Sequence, residues 1–140
     1  MDAAALDAYL GEVFPQVAGM FSIEDLAPMR VTVRAHVTER ELRPGGTVSG
    51  PTMFALADVA VYMAVLAMVG REALAVTTSC AIDFMRKPAA GKDLIARTRL
   101  LKLGRALAVG EVLIHSEGED PEAPVARASL TYSLPPGADA

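Results

Sequence analysis

The feature that most constrains the fold is the segment 51–70, which is apolar throughout except for one carboxylate near its centre, Asp58. It is rich in Ala, Leu and Met, which are strong helix formers. Pro51 stands where a first helical residue favours proline, and Gly70 stands where helices commonly end. The segment therefore predicts a long helix. Since this helix has no polar face, we expect the rest of the chain to bury it on every side.

A membrane-spanning role is the competing interpretation, because the segment matches the roughly 20 residues that a bilayer span needs. A carboxylate at the centre of a span costs about 2.5–3.5 kcal/mol for insertion, and no Lys or Arg cluster flanks either end. At the N-terminus, Asp2 and Asp7 stand where an export signal would carry positive charge. We therefore expect a cytoplasmic protein with no membrane partner.

The remaining chain is dominated by strand patterns. Ala3–Val13 places Leu6, Tyr9 and Leu10 at helical spacing and is followed by Pro15, which predicts a short amphipathic helix. Strands are predicted at residues 29–38, 74–86, 93–103, 106–116 and 125–134, with hairpin turns at 104–105 and 117–124 and a further connection at 88–92. This order predicts an α+β fold in which an antiparallel sheet wraps around the buried helix. We expect one domain over residues 1–140, with a helical extension at 1–28 and a frayed tail at 135–140.

Composition excludes several classes of function. The chain is 52% hydrophobic, which argues against disorder. Its 13 Lys and Arg against 17 Asp and Glu give a net charge of −4, so there is no basic field for a nucleic acid. The single cysteine, Cys80, and the two distant histidines, His36 and His115, predict neither a disulfide nor a metal site. Both histidines are expected at the surface.

Asp58 is the first candidate for chemistry, because a buried and unpaired carboxylate costs several kcal/mol and its presence needs a reason. One reason is structural: an ion pair with Arg30, Arg34 or Arg43, or a helix face that is exposed. The other is functional, because carboxylates held in apolar surroundings commonly serve as general bases or nucleophiles. The residues themselves leave both interpretations open.

The entry to the helix is the second candidate. Gly50 and the turn after it present backbone N–H groups without intrahelical partners, at the positive end of the helix dipole. Such groups can stabilise an oxyanion. The alternative is that Ser49 caps the helix while Gly50 and Pro51 only shape the turn.

Three stretches of the chain resemble the hotdog-fold acyl-CoA thioesterases of the phenylacetate-degradation (PaaI-like) type: GTVSGPTMFALADVAVYMAVLA, AVTTSCAIDFMRKPAAGKDLIARTRLLKLGRALAVGEVLI and PVARASLTY. Together they cover most of residues 30–132. Ser49-Gly50-Pro51 occupies the place of the family's His-Gly-Gly, and Phe54-Ala-Leu-Ala-Asp58 follows at the family's separation. Thr77 and the strand-end pattern Phe84-Met-Arg-Lys-Pro88 also match.

The resemblance implies hydrolysis of an acyl-CoA by a protein that needs no metal or cofactor. It implies that Asp58 activates water or attacks the thioester, that the Gly50 N–H polarises the carbonyl, and that Thr77 positions the water or the carboxylate. Three positions depart from the family: Ser49 and Pro51 replace the usual His and second Gly, and Arg43 aligns with the usual loop Asn. We assign Ser49 and Arg43 to substrate binding, and the reaction remains the expected one because the Gly50 backbone donor is kept.

Geometry adds an expectation about assembly. Gly50 and Asp58 are eight residues apart, so they lie roughly 12 Å apart along one helix and cannot address one carbonyl together. Two chains related by a two-fold axis could bring Gly50 of one near Asp58 of the other. We therefore expect a homodimer with composite sites, and the family resemblance extends this to a homotetramer.

Other features have two interpretations each. Arg86, Lys87 and Lys92 could attract coenzyme A phosphates or could be solvated turn charges. An acyl pocket could be lined by methionines, although such residues more often fill a core; the candidates are Met53, Met63, Met68 and Met85.

Two alternative functions stay open: an acyl-CoA-binding or sensing protein without catalysis, suggested by the changes at Ser49 and Arg43, and a hotdog dehydratase, which usually needs a His near the site.

Overall fold

A computed structural model describes residues 1–136 as a long helix held inside a curved antiparallel sheet. The helices are α1 (Ala3–Val13) and α2 (Gly50–Val69), with short 3-10 turns at Pro15–Val17 and Glu39–Glu41. The strands are β1 (Phe21–Ala27), β2 (Arg30–Ala35), β3 (Val76–Phe84), β4 (Leu94–Leu103), β5 (Leu107–Ser116) and β6 (Ala126–Ser133). They lie side by side in the order β1-β2-β4-β5-β6-β3. The predicted α+β architecture is confirmed.

Small residues on the inner face of the sheet allow α2 to approach it closely. About half of the inward positions on β4, β5 and β6 are Ala, Val or Gly, and one of them is Gly110, where the helix lies against β5. At Gly110 a Cβ would lie 3.0 Å from both γ-carbons of Val61, closer than real side chains pack. The helix therefore rests directly on the backbone of β5.

The prediction that α2 is buried on every side is correct for residues 59–66 and wrong for the first two turns. Pro51 and Phe54 are exposed, and Asp58 is partly exposed. Met68 near the end of the helix is also exposed, so the fully buried part of α2 is its middle. By length and composition α2 could cross a membrane, but most of it is buried within the protein.

The N-terminal segment contains a strand that the sequence analysis missed. The helix α1 has the predicted bounds and packs its Leu6, Tyr9 and Leu10 side chains into the core. Beyond it, β1 pairs with β2, so the sheet has six strands rather than five and residues 1–28 are not only helical. A bulge between Ile23 and Asp25 breaks the period-two pattern, which concealed the strand.

The other predicted strands are found with ends shifted by a few residues. The largest difference is β2, which ends at Ala35 because the chain leaves the sheet before the turn Glu39–Glu41. The connection at 88–92 joins β3 to β4, which are not neighbours in the sheet. Residues 137–140 of the predicted tail lie outside the described residues.

The prediction that His115 lies at the surface is wrong. His36 is exposed as expected, but His115 is only 9% exposed. Its outward direction on β5 is as the alternation predicts, but the connection 117–124 folds over it, where Arg97 donates a hydrogen bond to the Pro121 carbonyl oxygen (2.9 Å). Burial, and secondly the charge of Arg97, lower the pKa of His115.

Candidate active site

The Asp58 carboxylate is held by two hydroxyl groups from the sheet. Thr77 Oγ1 on β3 donates to Asp58 Oδ1 at 2.5 Å, and the Tyr132 hydroxyl on β6 donates to the same oxygen at 2.8 Å. No Lys or Arg among residues 1–136 forms an ion pair with Asp58. The ion-pair explanation is therefore wrong for the described residues: Arg34, one of its candidates, pairs with Glu24, Asp93 and Glu117 instead.

The two donors are neighbours across the sheet. Thr77 and Tyr132 lie directly opposite each other in the β3–β6 register, on the face that looks toward α2. Tyr132 is 3% exposed, and its pKa is raised by burial first and by the Asp58 charge next. Its hydroxyl therefore stays protonated, and able to donate, throughout the neutral range.

Asp58, Thr77 and Tyr132 line a cleft of about 430 Å³. Tyr62 on α2, and Phe14 and Gln16 from the segment that follows α1, also line it. No donor among residues 1–136 reaches Asp58 Oδ2. The arrangement leaves one carboxylate oxygen held by the protein and the second without a protein donor, as a base or nucleophile requires.

The helix entry has one unpaired donor. Ser49 caps α2 by accepting from the Thr52 N–H (3.3 Å), the Met53 N–H bonds to the Ser49 carbonyl oxygen, and Pro51 has no N–H. The Gly50 N–H has no acceptor among residues 1–136. The prediction that Ser49 caps the helix is confirmed. The role of Gly50 as an oxyanion donor stays a prediction, and its N–H is free to serve at the positive end of the helix.

The structure does not bring all the predicted site residues together within one chain. Thr77 lies beside Asp58, whereas Phe84 at the far end of β3 lies beside Gly50, with its Cζ 3.3 Å from where a Gly50 Cβ would be. The cleft is lined by Asp58 and Thr77 but by neither Gly50 nor Ser49.

The predicted substrate-binding cations lie at the Gly50 end. Arg86 and Lys87 follow β3 directly and are exposed, and Arg86 donates to the Pro124 carbonyl oxygen at 2.7 Å. Arg43 is exposed on the loop that leads into α2, where its N–H donates to the Thr47 carbonyl oxygen.

Two further groups of residues are placed by the structure. The pKa of the Cys80 thiol on β3 is raised by burial and by the nearby Asp58 charge, which disfavours a thiolate nucleophile.

The four methionines considered for an acyl pocket do not line the cleft: Met53 and Met63 are in the core, and Met68 and Met85 are exposed. Among residues 1–136, no group of three His, Cys, Asp or Glu side chains could hold a metal ion.

Tyr132 is the site residue that the sequence analysis missed. A signal was present, because Tyr132 alternates with Ala128 and Leu130 on the buried face of β6. A tyrosine on a core-facing position usually needs a hydrogen-bond partner for its hydroxyl. The sequence alone did not show which buried group would be that partner.

Comparison with known proteins decides the family. The Thioesterase superfamily profile matches residues 45–123, which contain both the helix entry and the Asp58–Thr77 pair. This chain belongs to the thioesterase superfamily. None of the curated proteins compared matches it. The fold and the resemblance found in the sequence are thereby confirmed: this is a hotdog thioesterase of the PaaI-like type.

Solved structures of similar proteins agree with that assignment. A Silicibacter protein named as a candidate thioesterase is 64% identical, with a TM-score of 0.90 over 97% of this chain and 93% of its own. The phenylacetic acid degradation protein PaaI from Thermus thermophilus, solved as a mutant, is 30% identical, with a TM-score of 0.70 over 85% and 97% of the two chains. A hypothetical thioesterase protein from Streptococcus pneumoniae, solved with coenzyme A, shares the fold at 21% identity, with a TM-score of 0.70 over 81% and 87% of the chains.

Proposed function

We propose that this thioesterase-superfamily chain hydrolyses an acyl-CoA to a carboxylic acid and free coenzyme A. The observation that carries the proposal is the Asp58 carboxylate, which lines the cleft, is held at Oδ1 by Thr77 and Tyr132, and has no protein donor at Oδ2 among residues 1–136. Membership of the superfamily and a related fold solved with coenzyme A support the thioester substrate.

The proposed reaction begins at the thioester carbonyl. Asp58 Oδ2 either removes a proton from water as the water oxygen attacks the carbonyl carbon, or attacks that carbon itself. In both routes the carbonyl oxygen becomes an oxyanion, which the Gly50 N–H stabilises, and the carbon–sulfur bond then breaks so that the thiolate of coenzyme A leaves and takes a proton. The first route gives the carboxylic acid directly, whereas the second leaves an anhydride with Asp58 that water then opens. Incorporation of oxygen-18 in a single turnover distinguishes the two routes, because only the anhydride places solvent oxygen in Asp58.

The proposed site is composite, with Gly50 supplied by a second copy of the chain. In one chain Gly50 and Asp58 lie at different ends of the α2–β3 contact, as the estimate of roughly 12 Å requires. β3 is an edge strand, and the exposed first turns of α2 lie alongside it. An antiparallel two-fold pairing along this edge would place the Gly50 end of one chain against the Asp58 end of the other. We propose a homodimer of this kind, doubled into a tetramer as the family resemblance implies.

The exposed cations complete the proposal. Arg43, Arg86 and Lys87 lie at the Gly50 end of the chain, the end that would meet the partner's cleft. Their charges would attract the phosphates of coenzyme A as its thioester reaches that cleft.

A panel of thioesters tests the function. Short-chain, aromatic and long-chain acyl-CoAs, each followed through release of free thiol, should show at least one substrate turned over by the wild-type chain. Activity should differ among the three classes, because the acyl group must fit beside Asp58 in a cleft lined by Val59, Tyr62 and Phe14. No thiol release from any of them, with acyl-CoA binding retained, would favour the binding protein instead.

Substitution of Gly50 tests the oxyanion donor. Gly50→Ala should lower kcat/KM by about 10-fold or more, because the new Cβ narrows the approach to the N–H on which the transition state depends. Ser49→Ala should instead lower stability by about 1 kcal/mol through loss of the helix cap, with a smaller effect on kcat/KM. Steady-state kinetics and thermal melts of both variants make the comparison. Full activity of Gly50→Ala would contradict the close approach of the thioester to this N–H on which the proposed donor role depends.

A further inference from the structure

We propose that Tyr132 is a positioning residue, whose hydroxyl sets the orientation of the Asp58 carboxylate and thereby the rate of hydrolysis. The inference rests on the proposed function. It starts from the Tyr132 hydroxyl oxygen, which lies 2.8 Å from Asp58 Oδ1 and 2.9 Å from the Asp58 main-chain oxygen. The single hydroxyl proton is shared between these two acceptors, so it restrains the Asp58 side chain relative to its own backbone.

The Tyr132 ring is itself held in place. It stacks on the Tyr62 ring, with the two centroids 6.0 Å apart and the planes at 25°. The Phe14 ring packs edge-on against Tyr62, with their centroids 6.2 Å apart. The Tyr62 hydroxyl is anchored to the Ala73 carbonyl oxygen at 2.8 Å. A ring that is 3% exposed and packed in this way cannot turn its hydroxyl away from Asp58.

Thr77, the second donor, also holds the Asp58 carboxylate in this orientation. Thr77 is the cross-strand neighbour of Tyr132 and donates to the same oxygen, so both bonds converge on Oδ1. With Oδ1 held from two strands, rotation of the carboxylate group is restricted and Oδ2 is the oxygen presented to the cleft. Such preorganisation matters most in the transition state, so a misplaced carboxylate should lower kcat and leave substrate binding nearly unchanged.

The test is Tyr132→Phe, which keeps the ring stack and removes only the hydroxyl. Its matched control is Tyr9→Phe, because Tyr9 is also buried and its hydroxyl accepts from the Ala73 N–H (3.2 Å) without lining the cleft. Tyr132→Phe should lower kcat by about 10- to 100-fold and change KM by less than about threefold. Tyr9→Phe should leave both constants near wild type, while the two variants lower Tm to a similar extent.

A double-mutant cycle shows whether Tyr132 acts through Asp58. In an Asp58→Asn background, adding Tyr132→Phe should cost little further rate, because the group that it positions no longer reacts. Additive losses, or a Tm drop in Tyr132→Phe far beyond that of Tyr9→Phe, would overturn the inference. So would full kcat in Tyr132→Phe, and in that case the proposed function would stand. A wild-type chain that hydrolyses none of the thioesters would overturn the function and this inference together.

Discussion

Asp58→Asn is expected to lower hydrolysis by about 10² or more while leaving the fold nearly unchanged. The amide oxygen can take the place of Oδ1 and still accept the hydrogen bonds of Thr77 and Tyr132, so the core loses little. Oδ2 is replaced by an amide nitrogen, which can neither accept a proton from water nor attack a carbonyl. Coenzyme A affinity should persist and could increase with loss of the negative charge. Initial rates, calorimetric binding and thermal melts on one preparation give all three quantities.

The control is Glu111→Gln on β5. Glu111 is a half-exposed carboxylate that pairs with Arg99 across the outer face of the sheet, away from the β3 edge, and a surface pair of this kind contributes little to stability. Its rate and melt should both stay near wild type. If Asp58→Asn instead keeps full activity, Asp58 is not the reacting group. If it loses activity only because it melts far below wild type, the carboxylate is structural.

Truncation of the two exposed aromatic side chains at the edge of the sheet is expected to separate the proposed dimer and abolish turnover. Phe54 on α2 is 42% exposed and Phe84 on β3 is 52% exposed, next to the free edge of the sheet and to Gly50. Central aromatic residues of an interface typically contribute about 2 kcal/mol or more each. Phe54→Ala/Phe84→Ala should therefore raise the dimer Kd by about 10³, the factor that about 4 kcal/mol represents.

The measurement is activity per chain against protein concentration, beside light scattering over the same range. Activity should fall with dilution in step with the dimer fraction, since the proposed site needs groups from both chains. Leu101→Ala/Leu107→Ala is the matched control: these residues are 50% and 42% exposed but flank the β4–β5 turn. An active monomer would contradict the composite site. Lost activity with an unchanged mass would show that the two aromatic side chains act within one chain.

Local pattern was sufficient for much of this molecule. Helix α2 was predicted from an apolar run of strong helix formers between Pro51 and Gly70, and the four strands after it were predicted to within a few residues of their ends. The polar residue inside an apolar helix identified Asp58 as the group that needs an explanation. Where the period was interrupted, as by the bulge in β1, the same reasoning failed.

Tertiary structure decided the rest, because it depends on which distant segments become neighbours. β3 pairs with β6 rather than with β4, which follows it in the chain, and this exchange alone puts Thr77 opposite Tyr132 with both hydroxyls on Asp58. The burial of His115 under the connection 117–124 arose in the same way. A sequence determines that a buried hydroxyl or carboxylate must find a partner, since an unsatisfied polar group is costly. Which group becomes that partner is settled only when the strands take their places around the helix.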